Sequence, residues 1–345
     1  MKTIFSNFGN AKITQGKNLN DVWLSLFKDA NEVVMATGYV SGDAIAGLYS
    51  ALERNLEIDS KTIHLLVGMQ YLEGFTQRQY NGLLKLNQFL MERNRGQVYL
   101  SPFMKFHGKL YAFKQGDTLT GMIGSANLSS FWDNLERTYE TMFVLDDFQA
   151  ANLLYQQTNE LITKLGKPIH QVDEPTHFHS HNVHLEEHLG VCKIDMNKVR
   201  QLQMQESQYS FSIPMKTEPK SNLNVFFGKG REDKRGFIIP RPWYEIELIV
   251  SKKTTELEGY PCHKLFTVIT DDGWQFKCKT SGDFAKNLRS EGDLQILGKW
   301  IKGKLENSGA LEVGDMVTEE TLKQYGQDTM MLRSTDDPNI WLLSF

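Results

Sequence analysis

A histidine, a lysine, a serine and an asparagine form the set of residues in this chain that is best suited to chemistry. His107 and Lys109 lie two positions apart, and Ser125 and Asn127 belong to a Gly-Ser-x-Asn sequence downstream. An imidazole can attack phosphorus, while an ammonium group and an amide can hold the non-bridging oxygens of the same group. The set therefore suits a phosphodiester substrate.

Two strands are expected to position these side chains. Apolar residues at positions 110, 112 and 113 accompany the His and Lys pair, and this alternation predicts a strand with both side chains on one face. A second apolar run over residues 120–123 stops at the Gly-Ser-x-Asn turn. The four side chains are therefore expected at neighbouring strand ends.

The pattern resembles the HxK…GSxN motif of the phospholipase D superfamily, whose usual form is H-x-K-x4-D-x6-G-S-x-x-N. The acidic residue comes three positions late here, as Asp117, and one residue instead of two separates Ser125 from Asn127. Asp117 also fits a turn that follows Gly116. The short Gly-Ser-x-Asn turn resembles that of restriction endonucleases of the BfiI and NgoFVII type. In that subgroup a Glu follows on the next strand, and Glu140 occupies the matching position.

The resemblance implies a role for each residue of the set. His107 would attack phosphorus and form a phosphohistidine, and Lys109 and Asn127 would stabilise the oxyanions. Glu140 would orient His107, and Ser125 would position the phosphate or its own loop. Neither a metal ion nor a cofactor is expected, because imidazole and ammonium groups replace the usual Mg²⁺.

The chain carries one copy of this motif. The reaction needs two histidines, one as nucleophile and one as general acid for the leaving oxygen. The nearest second candidate, His263 with Lys264, is an adjacent pair without a Gly-Ser-x-Asn partner. We therefore expect a homodimer, formed through the N-terminal domain, whose two-fold axis runs through one composite site.

Length and composition indicate an ordinary globular protein with two domains. The 345 residues are 40% hydrophobic and 23% charged, and no apolar run approaches the roughly 20 residues that span a bilayer. The first residues lack the apolar core of a signal peptide, and three cysteines without a CxxC fit a reducing compartment. A net charge of −4 permits DNA binding through a local basic face. We therefore expect a cytoplasmic protein without a membrane partner.

Residues 1–168 are predicted to form an α/β domain for nuclease activity and dimerisation. Strands are predicted over residues 32–39, 62–68, 97–100, 107–113, 120–125 and 140–146, and helices over residues 43–55, 77–94 and 148–164. The first strands and helices alternate, which favours a mostly parallel, buried sheet. With the later strands included, the predicted fold is a phospholipase D-like mixed sheet flanked by helices.

Residues 169–200 are predicted to form a linker that is rich in histidine. This stretch holds six of the nine histidines of the chain, His170, His177, His179, His181, His184 and His188. A zinc site is one interpretation, because alternate histidines on a strand can share a face. The stretch has no paired cysteine, so an interdomain linker or docking strand is the favoured interpretation.

Residues 201–345 are predicted to form a mostly-β pseudobarrel that recognises DNA. Short runs at residues 243–250, 263–269, 275–279 and 293–302 are separated by turns, and a helix is predicted over residues 282–288. The pattern resembles the DNA-reading pseudobarrel of restriction enzymes of the EcoRII, BfiI and NgoFVII types, which is also the fold of plant B3-type transcription factors. The resemblance implies a double-stranded DNA partner that is gripped by two arms.

Basic and polar residues of this domain are the candidate DNA contacts. Arginine and lysine supply phosphate contacts and bidentate contacts to guanine. The candidates are Lys229, Arg231, Lys234, Arg235, Arg241, Lys279, Lys286, Asn287, Arg289, Lys299, Lys302 and Lys304. Solvated charged turns are the alternative interpretation for the two basic stretches over residues 229–235 and 299–304.

The sequence therefore predicts a sequence-specific, metal-independent restriction endonuclease. Some relatives of the NgoFVII type work beside a separate helicase-type ATPase, which makes such an ATPase a further candidate partner. A phospholipase D-type lipid phosphodiesterase is one alternative, although it would need an apolar entrance and usually two motif copies. A DNA-binding regulator with a decayed nuclease domain is another, although all five residues of the set are present.

Overall fold

The protein is described here from a computed structural model that covers residues 3–6, 18–55, 61–132, 139–178, 185 and 188–345. These residues form two compact units. The first takes in the described residues up to 178 together with Glu232–Ile239, and the second takes in the remainder up to Phe345. None of the helices in the described ranges is long and apolar enough to cross a membrane.

The first unit is built on one eight-stranded sheet with helices on its faces. Its strands are β1 (Thr3–Ser6), β2 (Glu32–Thr37), β3 (Thr62–Val67), β4 (Gly96–Leu100), β5 (Leu110–Gln115), β6 (Thr118–Gly124), β7 (Thr141–Leu145) and β8 (Lys167–Pro168). Its helices are α1 (Leu19–Asp29), α2 (Gly42–Arg54), α3 (Gln70–Glu73), α4 (Gln77–Glu92) and α5 (Phe148–Leu165). The strand order is β1-β7-β6-β5-β2-β3-β4-β8.

The sheet is mixed, as the predicted fold class states. Only the β2–β3 and β3–β4 pairs are parallel, and the other pairs are antiparallel. The expectation of a mostly parallel sheet was therefore wrong. The reason is that β5 and β6 are joined by a tight turn at Gly116 and Asp117, and a connection of that length permits only antiparallel pairing.

The central strand β2 is buried on both faces by helices. Val33 and Met35 point into the larger core, while Val34 and Ala36 point into a smaller core that includes Ile162 of α5. Side chains of a strand alternate between faces, so this nearly continuous apolar strand contributes to both layers. The predicted helices over residues 43–55, 77–94 and 148–164 are present with shifts of one or two residues at their ends.

The second unit is mostly β. Its strands are β9 (Cys192–Lys193), β10 (Ser210–Pro214), β13 (Leu248–Ile249), β14 (Leu265–Thr270), β15 (Trp274–Ser281), β16 (Asn287–Ser290), β17 (Thr329–Ser334) and β18 (Ile340–Ser344). A small separate sheet pairs β11 (Arg231–Glu232) with β12 (Ile238–Ile239), and residues 232–239 of this hairpin belong to the first unit. The helices are α6 (Met196–Met204), α7 (Lys252–Thr255), α8 (Gln295–Asn307) and α9 (Glu319–Tyr325). The main sheet runs in the order β10-β17-β18-β14-β15-β16-β13, and β9 pairs with β15.

Two predicted elements of this unit were wrong. The helix predicted over residues 282–288 is a short 3-10 turn followed by strand β16, because Gly282 and Phe284 have φ values of 75° and 57° that interrupt a helix. The run at residues 293–302, placed among the short strands, is helix α8. The buried residues of this helix include Ile296, Leu297, Trp300, Ile301 and Leu305, a spacing with helical periodicity.

Helix α8 brings buried charges into the second unit. Lys302 is fully buried, donates to the carbonyl oxygen of Trp243 at 2.5 Å, and lies 3.9 Å from the centroid of that indole ring. Burial lowers the pKa of Lys302 to about 7, although Glu306 acts in the opposite direction. Glu306 in turn accepts hydrogen bonds from Trp243 and from the hydroxyl of Tyr244 at 3.4 and 3.2 Å. The helix is therefore anchored by a polar network inside the core.

Two glycines of α8 provide a matched test of this packing. A Cβ on Gly298 would lie 1.7 Å from the carbonyl oxygen of Tyr244, whereas a Cβ on Gly303 would meet nothing within 4 Å. An alanine inside a helix is favoured over glycine by about 1 kcal/mol, but forced overpacking costs about 1–3 kcal/mol. We expect Gly303→Ala to raise the free energy of unfolding and Gly298→Ala to lower it, measured by urea denaturation. Equal effects would contradict the packing of α8.

Candidate active site

Four strand ends meet at one edge of the sheet in the first unit. Strand β5 is antiparallel to both β2 and β6, with Leu110 opposite Ala36 and Ile123, and β6 is antiparallel to β7, with Gly124 opposite Met142. The start of β5 therefore lies beside the ends of β2 and β6 and near the start of β7. This register brings together the segments that carry all five predicted catalytic residues.

His107 and Lys109 lie in extended chain directly before β5, not inside a strand as predicted. The imidazole of His107 is exposed, whereas Lys109 is buried and its ammonium group donates to the carbonyl oxygen of His107 at 2.7 Å. Burial lowers the pKa of Lys109, and the nearby carboxylate of Glu140 partly opposes this effect. The lysine thus presents a desolvated charge beside an accessible imidazole.

Ser125 and Glu140 form a pair between the ends of β6 and β7. The hydroxyl of Ser125 donates to the carboxylate of Glu140 and accepts from the backbone N–H of Thr141 at 3.0 Å. Glu140 is buried, and its carboxylate acts on Lys109 by raising the pKa of that lysine. Ser125 therefore holds the carboxylate that was predicted to orient His107.

The amide of Asn127 is fixed by the end of β2. Its Oδ1 accepts from the backbone N–H of Tyr39 at 3.1 Å and lies 3.3 Å from the hydroxyl of Thr37. Since the oxygen is used in this way, the NH₂ group is the part of the amide that can donate to a substrate. A Cβ placed on Gly38 would lie 3.0 Å from the His107 ring and 3.5 Å from Asn127 Oδ1, so both side chains border the same glycine.

The acidic residue of the usual motif is displaced from this edge. Asp117 lies in the exposed turn between β5 and β6, at the far end of the hairpin from His107. The structure thus matches the alternative that it is a turn residue after Gly116, whose φ is +56°.

Sequence reasoning missed the contribution of β2 and α3 to the site. Strand β2, the most buried strand of the unit, ends at Thr37 and is followed by Gly38 and Tyr39. The ring of Tyr39 packs edge-to-face against His107, with ring centroids 5.7 Å apart. Glu73, at the end of α3, accepts a hydrogen bond from the Tyr39 hydroxyl. The available signal was the position of these polar residues directly after a buried strand.

The histidine-rich stretch forms no recognisable metal centre within the described ranges. His170 lies in a short 3-10 turn, and His188 is buried with its Nδ1 3.6 Å from Asp293 Oδ2. His179, His181 and His184 lie outside the described residues. No group of three His, Cys, Asp or Glu side chains that could hold a metal ion occurs among the residues that the structure covers.

Five of the eleven predicted DNA-binding lysines and arginines form ion pairs with acidic neighbours. Arg231 and Arg241 approach Glu245 at 3.3 and 2.6 Å, and Arg241 also approaches Glu247 at 3.0 Å. Further short ion pairs are Arg235–Asp29, Lys279–Glu291 and Lys304–Asp271, at 2.7, 2.5 and 2.5 Å. Lys229 and Lys234 are exposed. Lys299 and Lys302 are buried in α8, a placement that suits packing rather than contact with DNA.

Other candidates share one face of the main sheet. Lys279 and Arg289 are opposite each other on β15 and β16, and Asn287 lies two residues before Arg289, so these side chains point to the same side. Nε of Arg289 and Oδ1 of Asn287 are buried atoms without a hydrogen bond within the described structure. Lys286 is half-buried and directly precedes this strand.

An α/β unit with one His-x-Lys pair beside a Gly-Ser-x-Asn turn, followed by a mostly-β unit, defines a two-domain protein of the phospholipase D class. Residues 17–174 match the family model described as the NgoFVII restriction endonuclease N-terminal PLD domain. Residues 201–336 match the model described as the NgoFVII C-terminal B3-like DNA-binding domain. The two matches cover most of the chain, which therefore belongs to the NgoFVII family of restriction endonucleases. The predicted fold class is confirmed for both domains.

Several solved structures resemble part of the chain. Nuc from Salmonella typhimurium, a phospholipase D family member, is 14% identical over 48% of this chain and 95% of its own, with a TM-score of 0.33. NucT from Helicobacter pylori is 15% identical over 43% of this chain and 91% of its own, with a TM-score of 0.28. The archaeal chromatin protein TrmBL2 is 14% identical over 48% of this chain and 54% of its own, with a TM-score of 0.31. A comparison with curated proteins gave no match.

The electrostatic coupling between Lys109 and Glu140 can be measured directly. Glu140 raises the pKa of Lys109 while burial lowers it, so Glu140→Gln should lower that pKa further. We expect NMR titration of the labelled lysine side chain to show this downward shift. Asp117→Asn, in the exposed hairpin turn, is the matched control and should leave the titration of Lys109 unchanged. A Lys109 titration that is insensitive to Glu140→Gln would contradict the arrangement.

Proposed function

We propose that the protein is a sequence-specific, metal-independent restriction endonuclease. It hydrolyses phosphodiesters of double-stranded DNA through a phosphohistidine at a site shared by two copies of the chain. The observation that carries this proposal is the single cluster of an exposed His107, a desolvated Lys109 and a fixed Asn127 in a chain of the NgoFVII family.

The first half of the reaction transfers phosphorus from oxygen to nitrogen. A ring nitrogen of His107 attacks phosphorus and forms a P–N bond, and the bond from phosphorus to the leaving oxygen breaks. The imidazole of His107 from a second copy gives its proton to that oxygen. Two imidazoles are needed in opposite protonation states, and within the described residues one chain supplies only His107 at this edge of the sheet.

The second half restores the enzyme. A water molecule loses a proton to the now neutral second imidazole, and its oxygen attacks phosphorus from the side that the leaving group vacated. The P–N bond breaks and His107 returns to its starting form. The products are one phosphate end and one hydroxyl end, so atoms and protons balance over the cycle.

Charge stabilisation comes from groups that are already in place. Negative charge grows on the non-bridging oxygens in both steps, and the Lys109 ammonium and the Asn127 amide can both donate to it. Because Lys109 is buried, its charge is screened less by water than a surface lysine would be. These groups supply the positive field that a metal ion provides in other nucleases, which supports metal independence.

Exposed apolar side chains support the second copy. The segments that carry the site also expose Leu72, Phe103, Met104, Ile123 and Tyr139, of which Phe103 is 77% exposed. Apolar side chains exposed on the segments that carry a polar site fit a surface that another protein covers. A second copy related by two-fold symmetry would cover these exposed apolar side chains and bring the two imidazoles together.

The second domain is proposed to recognise DNA with the outer face of β15 and β16. Arg289 and Asn287 lie two residues apart on one face of β16 and are both half-buried, and Lys279 lies opposite Arg289. Arginine pairs with guanine and asparagine with adenine in the major groove. The exposed Lys229 and Lys234 fit phosphate contacts.

We further propose the domain limits 1–168, 169–200 and 201–345 and a cytoplasmic site of action. In this arrangement the first domain cuts and dimerises, and the third domain selects the sequence. A helicase-type ATPase partner is compatible with this division, because the recognition and cleavage residues lie in separate parts of the chain.

The catalytic proposal predicts that His107→Ala abolishes cleavage and retains binding. We expect wild-type protein to cut plasmid DNA in excess EDTA, and the variant to show no cutting while it binds the same DNA with unchanged affinity in a gel-shift assay. Parallel incubation with phosphatidylcholine should yield no product. Loss of wild-type cutting in EDTA with recovery in Mg²⁺ would overturn the mechanism. Absence of cutting under every condition would favour a DNA-binding regulator.

The shared site predicts a characteristic behaviour of mixed dimers. When wild-type and His107→Ala chains exchange freely in equal amounts, about a quarter of the dimers are wild-type only. Because each composite site needs both imidazoles, activity should fall to about a quarter of that of an all-wild-type sample at the same total concentration. Activity of about one half would mean that each chain works independently.

The recognition proposal predicts that Arg289→Ala weakens specific binding. A bidentate base contact contributes about 1–3 kcal/mol of discrimination, so affinity for the recognition sequence should fall about tenfold or more. Affinity for unrelated DNA should change much less. Lys323→Ala, on the exposed face of α9, is the matched control. An equal loss on specific and unrelated DNA would assign Arg289 to phosphate contact instead.

A further inference from the structure

The segment that ends β2 makes a set of contacts with the site that the motif does not include. Thr37 is fully buried, and its hydroxyl lies 3.3 Å from Asn127 Oδ1 and 3.1 Å from the carbonyl oxygen of Tyr39. The same hydroxyl accepts from the backbone N–H of Leu128 at 3.2 Å. One side chain therefore joins the central strand to both sides of the Gly-Ser-x-Asn turn.

Tyr39 reaches the other half of the site. Its backbone N–H donates to Asn127, while its ring stands nearly perpendicular to the His107 ring at 79°, with centroids 5.7 Å apart. Its hydroxyl donates to Glu73, and the other carboxylate oxygen of Glu73 accepts from Lys105 at 2.9 Å. The hydrogen bond to Glu73 raises the pKa of Tyr39, so this hydroxyl stays a donor at neutral pH.

The lack of a side chain at Gly38 allows His107 and Asn127 to lie close to the same segment of backbone. A Cβ at this position would lie 3.0 Å from the His107 ring, 3.3 Å from Met69 and 3.5 Å from Asn127 Oδ1. The absence of a side chain therefore lets the imidazole and the amide approach the same backbone.

We propose that Thr37 and Tyr39 are positioning residues for the cleavage reaction, with Thr37 fixing the Asn127 amide and Tyr39, held by Glu73, fixing the His107 ring. This inference rests on the proposed nuclease function. Thr37 and Tyr39 act through the neighbouring side chains, and no contact with DNA is assigned to them.

Thr37 and Tyr39 affect the reaction because they limit the orientations that the Asn127 amide and the His107 ring can adopt. Without the Thr37 hydroxyl, the Asn127 oxygen keeps only the Tyr39 N–H as a donor from this strand, so the amide can turn more easily. Without the Tyr39 ring, the exposed imidazole of His107 loses an aromatic wall and gains rotamers. A misplaced nucleophile or donor reduces the rate at saturation more than it reduces binding.

The test compares substitutions that remove the Thr37 hydroxyl or the Tyr39 ring with substitutions that keep it, all at a saturating concentration of DNA. We expect Thr37→Val and Tyr39→Leu each to lower kcat between about tenfold and a hundredfold, with KM for DNA within about twofold of wild type. Thr37→Ser keeps the hydroxyl and should recover most of the lost rate, whereas Tyr39→Phe keeps the ring but loses the hydrogen bond to Glu73 and should recover only part of it. Thr158→Val removes another fully buried hydroxyl, in α5, and should leave kcat unchanged.

A readout besides activity separates this inference from the proposed function. The side-chain amide of Asn127 should exchange its hydrogens faster in Thr37→Val than in wild type, as measured by NMR, whether or not the protein cuts DNA. Unchanged amide exchange, or a wild-type kcat in Thr37→Val and Tyr39→Leu, would overturn the positioning role. If wild-type protein fails to cut DNA but the Asn127 amide exchanges faster in Thr37→Val, the nuclease function is overturned. The role of Thr37 in fixing the Asn127 amide is then still supported.

Discussion

The whole site depends on the antiparallel pairing of β5 between β2 and β6. This pairing places Leu110 opposite both Ala36 and Ile123, so the chain before β5 must lie where β2 and β6 end. A shift of one residue would turn every side chain of β5 to the other face and would bury Leu110 where Tyr111 now packs. The hydrophobic pattern that specifies the register thus also specifies where the catalytic residues meet.

Burial makes each polar group of the site depend on a neighbour. Lys109 and Glu140 are buried, and an unpaired charge in such a place would be costly. The backbone oxygen of His107 satisfies the lysine, and the Ser125 hydroxyl satisfies the carboxylate. Because these partners belong to three different strand ends, losing one of them disturbs groups on the others. The same contacts that stabilise the fold therefore hold the reactive geometry.

The sequence was most informative where spacing and apolar pattern agreed. His107, Lys109, Ser125, Asn127 and Glu140 all lie at one sheet edge, and the long helices are nearly where periodicity placed them. The position of Thr37 and Tyr39 at the end of a buried strand was the available signal, but a threonine and a tyrosine there carry no motif and do not reveal which side chains they contact. Their importance comes from pairing between strands far apart in sequence, which local pattern does not report.

The basic residues of the second domain show why charge alone is a weak guide to an interface. Lys299 and Lys302 belong to a run that looks like a DNA-binding arm, yet helical periodicity turns them inward against Tyr244 and Trp243. A lysine can bury its long apolar stem when a carbonyl or an aromatic face receives its charge. Arg289, in contrast, belongs to an unremarkable strand, but pairing puts it beside Lys279 on the outer face. Position in the sheet or helix therefore decides which cations face outward and which are buried.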